Sequence, residues 1–255
     1  MEKNLTNLLP KLSNVEKEDR VYVMVDGSML NTRKYKWKEI KLGRIFNERK
    51  IIPLQKKRSE IVESIYVSHM GGVKKFLPKI ERHLVDYNNK VFIGDGAPWI
   101  WNWVEDNYPG AQQILDFFHA KEKIVILANH QFNNQERKKS WIKEQTERLK
   151  NDEVEIVIKE IKGIRSRNQT AKEHKAKTIK YYEDHSDKML YGTYISQGLL
   201  IGSGPIEAAH RSVLQQRMKL SGQKWNINGI NAIANLRCYR KSKAWEIIKT
   251  IIRAA

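Results

Sequence analysis

VYVMVDG, residues 21 to 27, decides the fold: five consecutive residues suited to a buried strand run into an Asp-Gly pair. KVFIGDG, residues 90 to 96, repeats the arrangement. Short apolar runs bounded by a turn signal read as strands that are buried on both faces. Each run therefore delivers a carboxylate, Asp26 or Asp95, to the carboxyl end of a strand. Two readings stay open for these positions. An Asp-Gly turn needs a side chain that accepts local backbone N–H groups and a glycine that supplies positive φ. Alternatively, carboxylates from neighbouring strands converge on one hard divalent cation, which takes oxygen ligands.

Working outward, WKEIKLGRIF (37 to 46) and IVESIYVSHM (61 to 70) read as two more strands, and AQQILDFF (111 to 118) as a candidate fifth. A helix over 73 to 87 follows from apolar residues at helical spacing, with Pro78 disturbing its first turn. WIWNWVEDNY reads as a helix between the strands that start at 90 and 111. From about residue 120 to 190, Lys, Glu, Gln and Arg dominate around helix-period apolars, so this block is expected to be all helical. YGTYISQGLLIGSG reads as a loop leading into a helix from about 205 to 220 that is closed by Gly222. A last helical stretch covers about 229 to 253. Strands first and helices last, with a helical block between, give a mixed α/β core interrupted by an insertion. The expected divisions are an N-terminal extension (1–19), a first core part (20–120), the helical insertion (121–195) and a second core part (196–255).

Among 255 residues no apolar run approaches the length of a membrane span, the N-terminus lacks a signal core, and the single Cys238 excludes an intrachain disulfide. The expectation is a cytosolic protein with no membrane partner. The formal charge of +18 points to a polyanion, with nucleic acid foremost. Half of that excess lies in residues 208 to 255, which hold ten Lys or Arg against the one acid Glu246. A solvated basic surface is the plainer reading of such a run.

IGSGPIEAAHR (201 to 211) places Glu207 at the third position of a helix that starts with Gly204 and Pro205. A glutamate there commonly closes a capping box, yet position 204 lacks the Ser or Thr that would complete it. A carboxylate fixed in a first turn can equally face a metal. DFFH adds Asp116 and His119, the latter more often a buried imidazole than an acid-base group. Trp99, Trp101 and Trp103 read mostly as core, although one of them could stack on an unpaired base.

Taken in order, VMVDG, GDGAPWIWN, ILDFFHAKE and IGSGPIEAAHR followed by QRMKLSGQKW resemble the DDE transposases of bacterial insertion sequences, in particular the Kra-type insertion-sequence family. The resemblance runs from about residue 20 to 240. It implies an RNase H-like mixed sheet flanked by helices, with an all-helical insertion between the second Asp and the Glu. It also implies that Asp26, Asp95 and Glu207 form a triad holding Mg²⁺ or Mn²⁺. DFFH is similar to the D-x-x-H element of Mutator-like transposases, which puts Asp116 and His119 beside the active site. Such transposases carry a substantial region ahead of the first catalytic Asp, whereas 25 residues precede Asp26, so a truncated copy is among the expectations.

The implied chemistry is phosphodiester hydrolysis followed by strand transfer on DNA, with two ions shared by the carboxylates. The DNA partners are the element's ends and a target, bound by a homo-oligomer in the bacterial cytosol. Arg211, Arg217, Lys219, Lys224 and Arg237 are the expected backbone-binding cations. Arg211 could instead pair with Glu207 at i,i+4. Two competing functions are a catalytically inactive DNA-binding remnant and a di-iron helical protein built from the acid-x-x-His pairs DFFH and EAAH.

Overall fold

The computed structural model describes residues 9–55 and 58–254, so residues 1–8 of the expected N-terminal extension lie outside the described residues. A five-stranded mixed sheet is built from β1 (Val21–Thr32), β2 (Lys36–Asn47), β5 (Ile65–Met70), β6 (Lys90–Gly94) and β7 (Gln112–Leu115), in the order β5-β2-β1-β6-β7. β3 (Ile51–Gln55) and β4 (Arg58–Ile61) form a separate two-stranded ribbon that the sequence reading missed. Numbered along the chain without that ribbon, the sheet order is 3-2-1-4-5, that of an RNase H-like fold. β1 pairs antiparallel with β2 from Val21↔Asn47 to Thr32↔Lys36, and β2 pairs antiparallel with β5. No helix among the described residues is long and apolar enough to cross a membrane.

The chain divides into two compact units. The first comprises the described residues within 1–92, 103–112 and 204–255. Val21 to Val25 are essentially inaccessible, as are Ile40, Leu42, Ile45 and Phe46 on β2, and Tyr22 stacks on Phe46 with ring centroids 5.2 Å apart. Burial on both faces is what makes residues 21 to 25 a continuous apolar run, whereas the buried half of β2 also carries Lys41, Arg44 and Asn47. β5, at the sheet edge, is covered by the helix Ile227–Lys241. The Met70 N–H donates to Asn231 Oδ1 (2.8 Å) and the Tyr66 N–H to Ser242 Oγ (2.9 Å), so side chains occupy donors that an open edge would expose.

The second unit comprises 93–102 and 113–203. Its helices Phe117–Gln131, Gln135–Lys150, Val154–Gly163 and Gln169–Glu183 form the expected helical insertion, with Asn134 and Asn168 capping two of them through their side chains. Tyr182, fully buried, donates its hydroxyl to the Ala120 carbonyl at 2.7 Å. YGTYIS, read from sequence as loop, is the helix Tyr191–Ser196. The Asp152 carboxylate accepts from the N–H groups of Gly192 (2.6 Å) and Thr193 (2.9 Å), neutralising the first-turn donors that local sequence leaves open.

Other boundaries also moved. The strand expected at 111–118 ends at Leu115, because Asp116 caps the next helix. The final helical stretch breaks into Ile227–Lys241 and Trp245–Ala254 around Lys243, whose φ is +56°. Gly222 has a φ of +73° but lies beyond the helix it was expected to close, inside the loop that follows Met218.

Candidate functional site

Asp26 does not sit in a turn. β1 continues through it to Thr32, and Asp26 stands opposite Leu42 in the ladder. Its Oδ1 accepts the N–H of Gly27 at 2.6 Å, and its Oδ2 lies 3.1 Å from Nε2 of His210. His210 is 4% exposed. That contact is close without hydrogen-bond alignment, and neither ring nitrogen of His210 makes a hydrogen bond with a described residue.

His210 belongs to the helix that carries Glu207. This helix changes register twice: α-helical over Gly204–Ala209, π-helical over His210–Gln215, and α-helical again over Gln216–Met218. The wider turn leaves carbonyls that an α-helix would use, and Arg237 takes two of them. Its Nε donates to Val213 O at 2.5 Å and its Nη2 to Ser212 O at 2.7 Å. Arg237, expected on the DNA surface, thus directs its guanidinium to the backbone of this turn.

Arg44 supports the start of the same helix, a residue the sequence reading passed over. Its Nη1 donates to Pro205 O (2.8 Å) and its Nε to Ser64 Oγ (2.9 Å), while Phe46 and Tyr66 flank the guanidinium at 5.5 and 5.3 Å. Burial lowers its pKa from the usual arginine value. The available signal was a cation in the mostly apolar half of β2, which also holds Lys41.

Glu207 is exposed, and its carboxylate makes no hydrogen bond or ion pair with any described residue. The capping-box interaction and the i,i+4 pair with Arg211 are both absent among the described residues. Arg211, Arg217, Lys219 and Lys224 are exposed. Lys219 donates to Ser28 Oγ at 2.8 Å, and Arg217 lies over the Trp225 ring at 5.2 Å.

In the second unit, Asp95 does use a local turn: its Oδ1 accepts the Ala97 N–H (3.0 Å), and its carbonyl accepts from Trp101 Nε1 (2.8 Å). Gly96 is needed for space rather than for positive φ, since a Cβ there would come within 2.2 Å of the Tyr181 ring. Asp116 is fully buried and caps the helix Phe117–Gln131 by accepting the Phe118 N–H at 2.9 Å. Ser203 Oγ donates to its Oδ2, and His119 Nδ1 lies 2.6 Å from that oxygen. The hydrogen bond to Asp116 raises the His119 pKa to about 9 against the opposing effect of burial, with Asp95 and Glu122 adding to the rise. Burial pushes the Asp116 pKa upward, but hydrogen bonds from His119, Ser203 and Phe118 outweigh it and leave the value lowered. His119 is therefore a cation at neutral pH, unsuited to act there as a general base.

This pair sets an expected pH dependence. A histidine whose folded pKa is raised contributes stability that is fully present below about 6.5 and is lost as pH climbs through about 9. Asp116 acts on the acid side, its contribution falling away as pH drops below its ordinary 3.8. Urea midpoints measured from about pH 6 to 9 should decline for the wild type. The decline should flatten in His119→Gln.

The carboxylates supply hard oxygen donors of the kind Mg²⁺ and Mn²⁺ accept. Among the described residues, however, no group of three or more His, Cys, Asp or Glu side chains could hold a metal ion as placed. The di-iron expectation meets the same result, and Asp116 and His119 pair with each other. Trp101 and Trp103 are each 4% exposed, so they belong to the core.

No protein-family model and no curated protein matches the sequence. Among solved structures, the chain is similar to the Drosophila P element transposase in its strand transfer complex, at 11% identity and a TM-score of 0.28, covering 94% of this chain and 68% of that one. It is also similar to NurA bound to dAMP and manganese, at 12% identity and a TM-score of 0.15, covering 94% of this chain and 58% of that one.

Proposed function

We propose that the chain is a DNA-cleaving and strand-transferring transposase of the Kra-type insertion-sequence family, in which Asp26, Asp95 and Glu207 are the catalytic carboxylates. The observation that carries this reading lies within the first unit. The Glu207 carboxylate is exposed and unpartnered in the first turn of a helix whose next turn sets His210 3.1 Å from Asp26. A glutamate kept only as a cap would be engaged with the backbone at its own helix start.

A divalent ion such as Mg²⁺ or Mn²⁺, when bound, would polarise the scissile phosphate and lower the pKa of an attacking water or 3′-hydroxyl; Asp26, Asp95 and Glu207 would hold it. His210, 3.1 Å from Asp26, would stand beside the bound ion's ligand. Arg211, one turn beyond Glu207, is free to meet a phosphate near the cut. His119, held cationic by Asp116, gives DFFH a positioning or phosphate-facing role. The working form is a homo-oligomer on DNA, in the bacterial cytosol.

A second reading, a DNA-binding remnant without catalysis, is favoured by the lack of a preassembled metal group among the described residues. Mg²⁺-dependent nicking of plasmid DNA separates the two. Metal-dependent cleavage supports the transposase, and DNA binding indifferent to Mg²⁺ without cleavage supports the remnant. Both readings expect electrostatic DNA binding, since residues 208 to 255 carry +9. The logarithm of affinity should fall linearly with log salt from about 50 to 200 mM. A flat response would remove DNA as the polyanion.

A further inference from the structure

The β1–β2 turn lies in the first unit and takes no part in the site described above. Residues 33 to 39, RKYKWKE, are all exposed and carry Arg33, Lys34, Lys36 and Lys38 around Tyr35 and Trp37. Trp37 is 58% exposed and Tyr35 47%. The single acid of the stretch, Glu39, is paired with Lys41 at 2.6 Å, so it does not offset the neighbouring cations.

This turn is shaped, not slack. Arg33, Lys34 and Tyr35 form a three-residue loop closed by Lys36 at a φ of +55°, a position that glycine normally fills. Holding a lysine there has a conformational cost. Thr32, 2% exposed, secures it: its Oγ1 accepts the Tyr35 N–H (3.0 Å) and donates to Lys36 O (2.8 Å). The ammonium groups of Lys34 and Lys38 lie 5.2 and 5.8 Å from the Tyr35 ring centroid.

The loop after Met218 docks along the turn. Trp225 N–H donates to Asn31 O (3.1 Å) and Arg33 N–H to Trp225 O (2.9 Å), while Arg33 Nε reaches Lys224 O (3.3 Å). One groove runs between Trp37 and residues 218 to 224, including exposed Leu220, and a second between Tyr35 and residues 225 to 228. Both grooves thus have aromatic walls and cationic rims.

We propose that this turn and loop bind unpaired nucleotides of single-stranded DNA, with Trp37 and Tyr35 stacking on bases and Arg33, Lys34, Lys36, Lys38 and Lys224 holding the phosphates. Rigid aromatic faces interleaved with cations suit a strand whose bases are free to stack, whereas a duplex hides them. Fixing the turn in advance lowers the ordering cost of binding. The inference rests on the nucleic-acid half of the function proposed above and not on cleavage.

The test measures binding of a labelled oligothymidylate of about 15 nucleotides and of a duplex of similar length, in EDTA, to wild type, Tyr35→Ala/Trp37→Ala and Tyr35→Phe/Trp37→Phe. The alanine pair should weaken single-strand binding roughly 5- to 100-fold while duplex binding holds, and the phenylalanine pair should keep most of the affinity. In the wild type, the oligonucleotide should quench tryptophan fluorescence, and Trp37→Phe alone should remove most of that quenching, a readout that stands even if the alanine pair misfolds. Unchanged single-strand affinity, equal loss on both DNAs, or quenching that survives Trp37→Phe would overturn the proposal. Because no cleavage is needed, an inactive nuclease leaves this result standing, and failure here leaves the carboxylate assignment untouched.

Discussion

Glu207→Gln is expected to give a folded protein that binds DNA with wild-type affinity and nicks it at least about 10³-fold more slowly. Glutamine keeps the shape of the side chain and removes its anionic oxygen. Because the carboxylate is exposed and has no partner among the described residues, the stability change should be small, at most the roughly 0.3–1 kcal/mol that a first-turn acid contributes through the helix dipole. A structural role and a catalytic role therefore give opposite patterns. The first predicts altered melting with intact cleavage, the second intact melting with lost cleavage. Plasmid nicking in Mg²⁺ alongside thermal melting decides between them, and cleavage retained by the glutamine variant returns Glu207 to an ordinary helix residue. Mn²⁺ binding by calorimetry, weaker in the variant than in the wild type, gives a readout apart from activity.

Asp116→Ala should destabilise the protein by about 3 kcal/mol, the largest stability effect we expect from a single polar side chain here. The fully buried carboxylate caps one helix, accepts from Ser203 and faces His119. Its removal leaves two donors and a cation without their acceptor. The imidazole is 38% exposed, so water can take over part of the lost interaction, which keeps the loss below that of a fully buried ion pair. For a chain of this size the melting temperature should drop by roughly 6–12 °C. Asp116→Asn retains an oxygen acceptor for capping and should recover part of that loss. A variant that melts with the wild type would show that His119 and Ser203 find other partners.

The strands at 21 to 25 and 90 to 94 were legible because burial on both faces demands short, nearly unbroken apolar runs, and 37 to 46 because apolar residues recur through it with partial alternation. The helical block was equally plain, since its residues favour helix by themselves and its amphipathic spacing needs no partner to be recognised. The D-G pairs were less transparent. The same two readings stood open for both, yet Asp26 continues a strand because β2 offers it a ladder partner, and Asp95 turns because the chain must enter a helix at Pro98.

The sequence by itself determined the charge that favours a polyanionic partner, the order of the five sheet strands and of the main helices, and the positions of Asp26, Asp95 and Glu207 along the chain. Those properties are local or additive, so they can be read one window at a time. The tertiary structure alone decided which side chains have partners. Half-buried Arg237 holds a π-helical turn 24 and 25 residues away, Arg44 reaches across 161 residues to Pro205, and Tyr35 and Trp37 are exposed while Trp101 and Trp103 are buried. A hydrogen bond or an exposed ring depends on what packs against it, and distant segments of the chain supply that packing.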